Sequence, residues 1–182
     1  MSSSNLIRWG GLAAVVAGIL SVIADLIVLF VLGFGQGPGV FTSLGLLFRS
    51  LVGPVAVALL LLGLVGLYAR QSELAGLPGL ISFLVAFFGT VLAQSFLWAN
   101  LLASLGWALF GVSCLRAGVY PRIACILLIV SAVSLGAVSA LISGASSILM
   151  HVAGAGADTV LNVAIAWLGF SLFRRRIAAR WL

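Results

Sequence analysis

The chain has 182 residues, of which 64% are hydrophobic and only 7% are charged, and its formal net charge is +6. Soluble domains carry about 25% charged residues, so this composition excludes a water-soluble fold and indicates that lipid surrounds most of the chain. The basic residues are all Arg and stand at the ends of apolar runs, which is typical of membrane topology signals and not of a nucleic-acid-binding surface.

Six apolar runs approach the roughly 20 residues that a helix needs to cross a bilayer. They predict an all-α transmembrane bundle, a single domain over 1–182, with helices at about 10–32, 51–69, 78–97, 101–116, 123–143 and 147–173. As one helix, the apolar stretch 78–116 would measure about 57 Å, against a hydrocarbon core of about 30 Å. We therefore divide it near Trp98 and Asn100. Without this division the chain has five helices, which is the alternative.

The distribution of Arg predicts the orientation of the six helices. With a cytoplasmic N-terminus, eight of the nine Arg residues lie on the inner side, and Arg49 alone lies outside. Cytoplasmic loops carry the excess of positive charge, so we expect both termini inside, in the inner (cytoplasmic) cell membrane of a prokaryote. A cleaved signal peptide with its cleavage site near 22–24 is a rival interpretation, but the apolar run continues to Leu32 and exceeds a typical signal core.

Three stretches carry a resemblance to a known kind of protein: GLYARQSELAGLPGLISFLVAFFGTVL (66–92), LFGVSCLRAGVYPRIACILLIVSAV (109–133) and AWLGFSLFRRR (166–176). They resemble a family of uncharacterised multipass membrane proteins of bacteria and archaea, with about six helices. The resemblance implies a membrane bundle and brings no assigned activity.

Small and polar residues form a stripe on the first and on the last predicted helix. The two stripes are Gly11, Ala14, Gly18, Ser21 and Asp25, and Ser147, His151, Gly154, Asp158 and Asn162. Their spacing follows the helical period, and in membranes such residues face neighbouring helices because they permit close approach and polar pairing. We expect both stripes to face the interior of the bundle.

The ionisable members of these stripes predict a ligand-binding layer. At 1.5 Å per residue, Asp25 and Asp158 each lie about 25 Å from the Arg that marks the inner end of their helix. The residues predicted at this depth, in the outer half, are Asp25, Arg49, Gln94, His151, Asp158 and Asn162. Because a charge at the bilayer centre costs about 2.5–3.5 kcal/mol, we expect Arg49 to pair with Asp25 or Asp158 over a polar cavity. A structural clamp that fixes helix register is the alternative.

Catalytic readings do not fit the spacing. A Ser–His dyad would need Ser113 and His151, which lie about 30 Å apart in depth. An intramembrane aspartyl protease would use Asp25 and Asp158, but the Gly residues before Asp158 are one position out of step with a GxGD motif. We therefore expect no enzyme.

Cofactor and metal sites are likewise not indicated. The chain has one His, and His151 lies about 10.5 Å from Asp158 along the helix axis, too far for a shared metal. Cys114 and Cys125 flank the inner connection between two helices, where reducing conditions keep thiols free.

We predict that the protein binds or transports a small molecule or lipid through the polar layer. The alternative is that it serves as a non-catalytic accessory or scaffold subunit of a membrane complex. The partners expected are the bilayer, that ligand, and a second copy or a membrane-complex subunit; nucleic acid is excluded. The C-terminal basic residues predict an anchor on anionic lipid. They are Arg174, Arg175, Arg176 and Arg180.

Overall fold

A computed structural model describes residues 3–34, 40–96, 98–142 and 148–178, and folds them into helices joined by short turns. The helices are α1 (Ser3–Phe34), α2 (Val40–Leu92), α3 (Ala99–Ala117), α4 (Arg122–Ile142) and α5 (Ile148–Ala178). Each of these five contains a stretch that is long and apolar enough to cross a membrane. The predicted all-α class is confirmed for the described residues, and the helices are compatible with an integral membrane protein.

Helix α2 contains both the second and the third predicted helix and turns back on itself at Gly76. That residue has φ 55° and ψ −151°, a conformation that suits glycine because it lacks a Cβ. On either side of it, the rings of Tyr68 and Phe83 stack with centroids 4.6 Å apart, whereas 15 residues of straight helix would separate them by about 22 Å. The arms 40–75 and 77–92 therefore lie side by side.

The number of helices differs from the six predicted, for a local reason. Residues 70–75 were expected to form part of a polar connection, but they continue the first arm of α2 as helix. A single residue, Gly76, makes the turn, so the two arms belong to one continuous helical element.

The apolar stretch 78–116 is divided, as its length requires, although a few residues earlier than predicted. Helix α2 ends at Leu92 and α3 begins at Ala99. Within the turn, the N–H of Phe96 donates to the carbonyl of Leu92 (2.9 Å), and the N–H of Ala99 donates to the carbonyl of Phe96 (3.0 Å). These local bonds pair backbone groups between the end of α2 and the start of α3.

Glycine contacts set the pairing of the first three helices. A methyl group at Gly10 of α1 would lie 2.5 Å from the Cα of Gly66 in the first arm of α2. In the second arm, a methyl group at Gly89 would lie 2.6 Å from the backbone nitrogen of Ala103 in α3. Backbones approach this closely only where side chains are missing or small, the usual device for helix association in membranes.

Helix α5 closes the bundle by packing against α1 and α4, while α3 packs against α2 and α4. Between the helices lies an apolar core. Its largest fully buried apolar side chains include Leu64, Leu67, Phe110, Leu128, Ile165 and Leu168. Large apolar side chains on the outer surfaces of the helices remain exposed, such as Ile19, Phe88 and Val130. Hydrocarbon can solvate these side chains, since lipid tails are as apolar as Leu.

Candidate functional site

Helices α1 and α5 run antiparallel in close contact, and this contact positions the candidate site. A methyl group at Gly11 would lie 3.1 Å from the Cβ of Leu172, and one at Gly18 would lie 2.6 Å from the backbone oxygen of Asn162. The start of α1 therefore lies beside the end of α5. Continuing along the same junction by two turns brings α1 to Asp25.

Asp25 meets α5 through a hydrogen bond. The hydroxyl of Thr159 donates to Oδ2 of Asp25 at 3.3 Å. Asp158 precedes Thr159 directly, and Asn162 follows it on the same side, one turn closer to Gly18. We call Asp25, Asp158, Thr159 and Asn162 the α1–α5 polar cluster.

Burial differs among the members of the cluster. The side chain of Asn162 is 4% exposed, whereas Asp25, Asp158 and Thr159 are half-buried. The Asp25 carboxyl thus lies at a tight helix junction, Asp158 stands next to its partner Thr159 on α5, and both aspartates are half-buried. Carboxylates accept hydrogen bonds, and the Asn162 amide can donate and accept. The arrangement suits a ligand that carries positive charge or several hydrogen-bond donors.

The predicted stripes face the interior where their side chains are described. Gly11, Ala14 and Gly18 of α1 are buried, and so is Asn162 of α5. The described residues of both stripes that lie further from these contacts, including Asp25, are half-buried. The helical period therefore identified the contacting faces of α1 and α5.

Of the other residues of the predicted layer, the structure describes the side chain of Gln94, which does not lie at the cluster. Gln94 is exposed in the turn after α2, and its amide donates to the carbonyl of Thr90 at 3.4 Å instead of facing the interior. The side chains of Arg49 and His151 lie outside the described residues, so their predicted pairing stays a prediction. The same holds for the lipid anchor, since the side chains of Arg174, Arg175 and Arg176, and all of Arg180, lie outside them.

Thr159 is a member of the cluster that the sequence reasoning missed. Threonine is common in apolar helices, so its presence next to Asp158 did not by itself indicate a site. Its spacing to Asn162 and Ala166 is i, i+3 and i+7, which places it on the face of α5 that contacts Gly18. This spacing could have identified Thr159 from the sequence.

A second group of polar side chains lies at the opposite end of the bundle, near the turn between α3 and α4. The hydroxyl of Tyr120 in this turn donates to the carbonyl of Leu67 at 2.7 Å. Burial raises the pKa of Tyr120 well above its ordinary value, so the phenol stays protonated and keeps donating. Buried nearby are Cys114, Cys125 and Gln71, residues of three different helices.

Both thiols are free, as expected, and both are buried. Within the described part of the chain, no group of three or more His, Cys, Asp or Glu side chains gathers in a way that could hold a metal ion. The α1–α5 polar cluster offers two carboxyl groups, so an ion held there would need further ligands from elsewhere.

Comparison with known protein families, with curated proteins and with solved structures gives no match to this chain. The resemblance to multipass membrane proteins of bacteria and archaea therefore stays a prediction from sequence. The function has to be argued from the geometry of the bundle.

Proposed function

We propose that this chain is a multi-pass protein of a prokaryotic cytoplasmic membrane that binds or transports a small polar molecule or a lipid through the α1–α5 polar cluster. The observation that carries the proposal is the hydrogen bond from Thr159 to Asp25. It joins polar side chains of the first and last helices in a bundle that exposes many large apolar side chains. Polar and ionisable groups at such positions are costly and usually mark a ligand or ion pathway.

The proposal includes six crossings with both termini inside. Five alternating crossings would make the first and last helices parallel, but the contacts of Gly11 with Leu172 and of Gly18 with Asn162 make α1 and α5 antiparallel. An even number of crossings follows if each arm of α2 crosses once. The stacking of Tyr68 on Phe83 supports this count, because it requires the arms to lie side by side.

The inner side is assigned by charge. In a six-crossing bundle, Arg8, Arg70, Arg116 and Arg122 all lie at one end, and positive charge is retained on the cytoplasmic side. Asp25 then lies about 25 Å from Arg8, which marks the inner side on α1, and so in the outer half of the membrane. The cluster would accordingly be reached from the outer side.

The topology is tested by labelling two introduced cysteines in intact spheroplasts with a maleimide that does not cross membranes. Ser95→Cys, in the turn after α2, should react, whereas Glu73→Cys, next to the turn at Gly76, should react only after lysis. The parent chain is the blank because Cys114 and Cys125 are buried. Equal labelling of both introduced thiols in intact spheroplasts contradicts the proposed orientation.

A second function has support from the same junction. The Thr159–Asp25 bond links two helices that already approach closely at Gly18, which is what a clamp in an accessory or scaffold subunit would need. In that case the polar groups serve assembly, and their loss should separate the chain from its partner or lower its stability.

Charge-neutralising substitutions distinguish the two functions. Asp25→Asn and Asp158→Asn keep the size of each side chain and remove its charge. Native mass spectrometry of the chain extracted in mild detergent then measures retained small molecules and lipids, together with any partner subunit. Gln94→Ala is the matched control, since Gln94 is polar but exposed outside the cluster.

Binding predicts that both Asp variants lose a retained mass that the parent and Gln94→Ala keep, while their melting temperatures stay near that of the parent. Loss of a partner subunit or of the folded chain in the Asp variants favours the clamp. Identical retained masses in all variants contradict a ligand site at the cluster.

A further inference from the structure

The two cysteines form a buried pair between α3 and α4. Cys114 and Cys125 have no exposed surface, and their side chains are within interaction distance of each other. The helices are close at this level, because a methyl group at Gly111, one turn before Cys114, would lie 3.3 Å from the backbone oxygen of Cys125. Two sulfur atoms from different helices are thus brought together in the apolar core.

A buried polar group without hydrogen bonds lies next to this pair. Gln71 of α2 is fully buried, and neither its Nε2 nor its Oε1 has a hydrogen-bond partner among the described residues. Its amide nevertheless lies beside the Cys114 thiol, although without hydrogen-bond geometry.

Leaving such a group unpaired in a core is unfavourable, so its presence needs an explanation. A neutral thiol is a weak acceptor, so it satisfies the amide of Gln71 poorly. A thiolate is a much better acceptor, since hydrogen bonds to an ionised group are stronger than neutral ones. The Gln71 amide is therefore suited to sulfur in its ionised, metal-bound form.

We propose that Cys114 and Cys125 form a binding site for a soft monovalent metal ion of the Cu(I) type, with Gln71 donating a hydrogen bond to the Cys114 sulfur. Thiolate sulfur suits Cu(I), zinc and iron–sulfur clusters, and zinc in proteins takes four ligands, which two cysteines do not supply. Two sulfurs complete a linear site for this ion, so no third ligand is needed. On binding, each S–H bond is replaced by an S–Cu bond, two protons leave to water, and copper remains Cu(I).

The charge of the loaded site has to be offset by nearby donors. Two thiolates and one Cu(I) carry a net charge of −1, which a low-dielectric core disfavours. The Gln71 amide offsets part of this cost by donating to a thiolate. Tyr120 is under the electrostatic influence of both thiols and of the Arg70 guanidinium, so the pair lies towards the end of the bundle that carries Arg70.

The test is competition for Cu(I) with bicinchoninate, using the full chain in detergent under a reducing atmosphere. The parent should withdraw one equivalent of Cu(I), and Cys114→Ser and Cys125→Ser should each abolish this. Met150→Leu, which removes the other sulfur of the chain apart from that of Met1, is the control and should bind like the parent. X-ray absorption of the loaded parent should show two sulfur neighbours.

Gln71→Leu distinguishes a role in binding from a role in packing. It removes an unpaired amide, so the metal-free chain should melt at a higher temperature. Its affinity for Cu(I) should fall by about tenfold or more, because a hydrogen bond to a charged sulfur is lost. A purely structural Gln71 would leave the affinity unchanged.

Three results overturn the proposal. They are no withdrawal of Cu(I) by a folded parent, full retention of binding by either Cys→Ser variant, and fewer than two sulfur neighbours in the loaded parent. The last measurement uses the parent chain, so it remains decisive even if the Cys→Ser variants fail to fold.

Discussion

Replacing Gly18 by alanine tests the contact that holds α1 against α5. The added methyl would lie 2.6 Å from the backbone oxygen of Asn162 and 2.8 Å from the Cβ of Ala166. Neither atom is the end of a flexible side chain, so the helices must move apart. Overpacking of this kind costs about 1–3 kcal/mol, and the gain in helix propensity of alanine over glycine offsets about 1 kcal/mol of it.

Gly156→Ala provides the matched control. Gly156 lies on the same helix as Asn162, is exposed, and has nothing within 4 Å of an added methyl. Both variants gain the same propensity, so the difference in their free energies of unfolding isolates the overpacking at Gly18, about 1–3 kcal/mol. Gly156→Ala should match or exceed the parent, and Gly18→Ala should fall below it.

Unfolding by increasing mole fractions of SDS in mixed detergent micelles, followed by circular dichroism, measures both variants. The Thr159–Asp25 bond lies two turns from Gly18, so Gly18→Ala should also weaken any ligand retained by the α1–α5 polar cluster. If Gly18→Ala is as stable as Gly156→Ala, the close approach of α1 and α5 is wrong and the cluster loses its support.

Three further predictions concern the opposite end of the bundle and the α2–α3 contact. Tyr120→Phe removes the bond to the carbonyl of Leu67 and should lower the free energy of unfolding by about 0.5–1.5 kcal/mol. Burial raises the pKa of Tyr120, so the stability that this residue contributes should be constant below about pH 10 and fall above it. Melting curves recorded over a series of pH values should show this fall in the parent, and a smaller fall in Tyr120→Phe. The buried indole N–H of Trp107 donates to the Thr90 hydroxyl at 3.0 Å. Thr90→Val leaves this N–H without its partner and should lower the free energy of unfolding by about 1–3 kcal/mol and shift the tryptophan fluorescence. An unchanged stability would contradict the bond. Gly76→Ala forces a Cβ into a conformation with φ 55° and ψ −151° and should cost about 1–3 kcal/mol in SDS unfolding, whereas a neutral effect would mean that α2 does not turn there.

The sequence was sufficient to locate the apolar helices, because each needs only a local property, about 20 apolar residues in a row. The regions predicted at 10–32, 123–143 and 147–173 coincide with α1, α4 and α5 to within a few residues apart from longer ends. The need for a break in 78–116 followed from length alone. The break that was predicted at 70–77 shrank to Gly76, because polar residues next to it can remain helical at a membrane surface.

The candidate site was predictable only in part. The helical period put Gly18, Asp25 and Asn162 on contacting faces, since a face depends on spacing within one helix. The bond from Thr159 to Asp25 was not predictable, because the rotation and offset of α1 against α5 decide which residue of α5 reaches Asp25. Gln94 was assigned by depth, but depth does not specify whether a residue faces inward, and it is exposed.

By itself, the sequence determined that the chain consists of membrane-length helices, where they run, and which of their faces carry small and polar residues. Only the tertiary structure decided that α1 lies antiparallel to α5, that Thr159 bonds Asp25, and that Gln71 lies beside Cys114. The physical reason is that length and periodicity are properties of one segment. Pairing depends on backbone approach at Gly10, Gly18 and Gly66, between residues far apart in the chain.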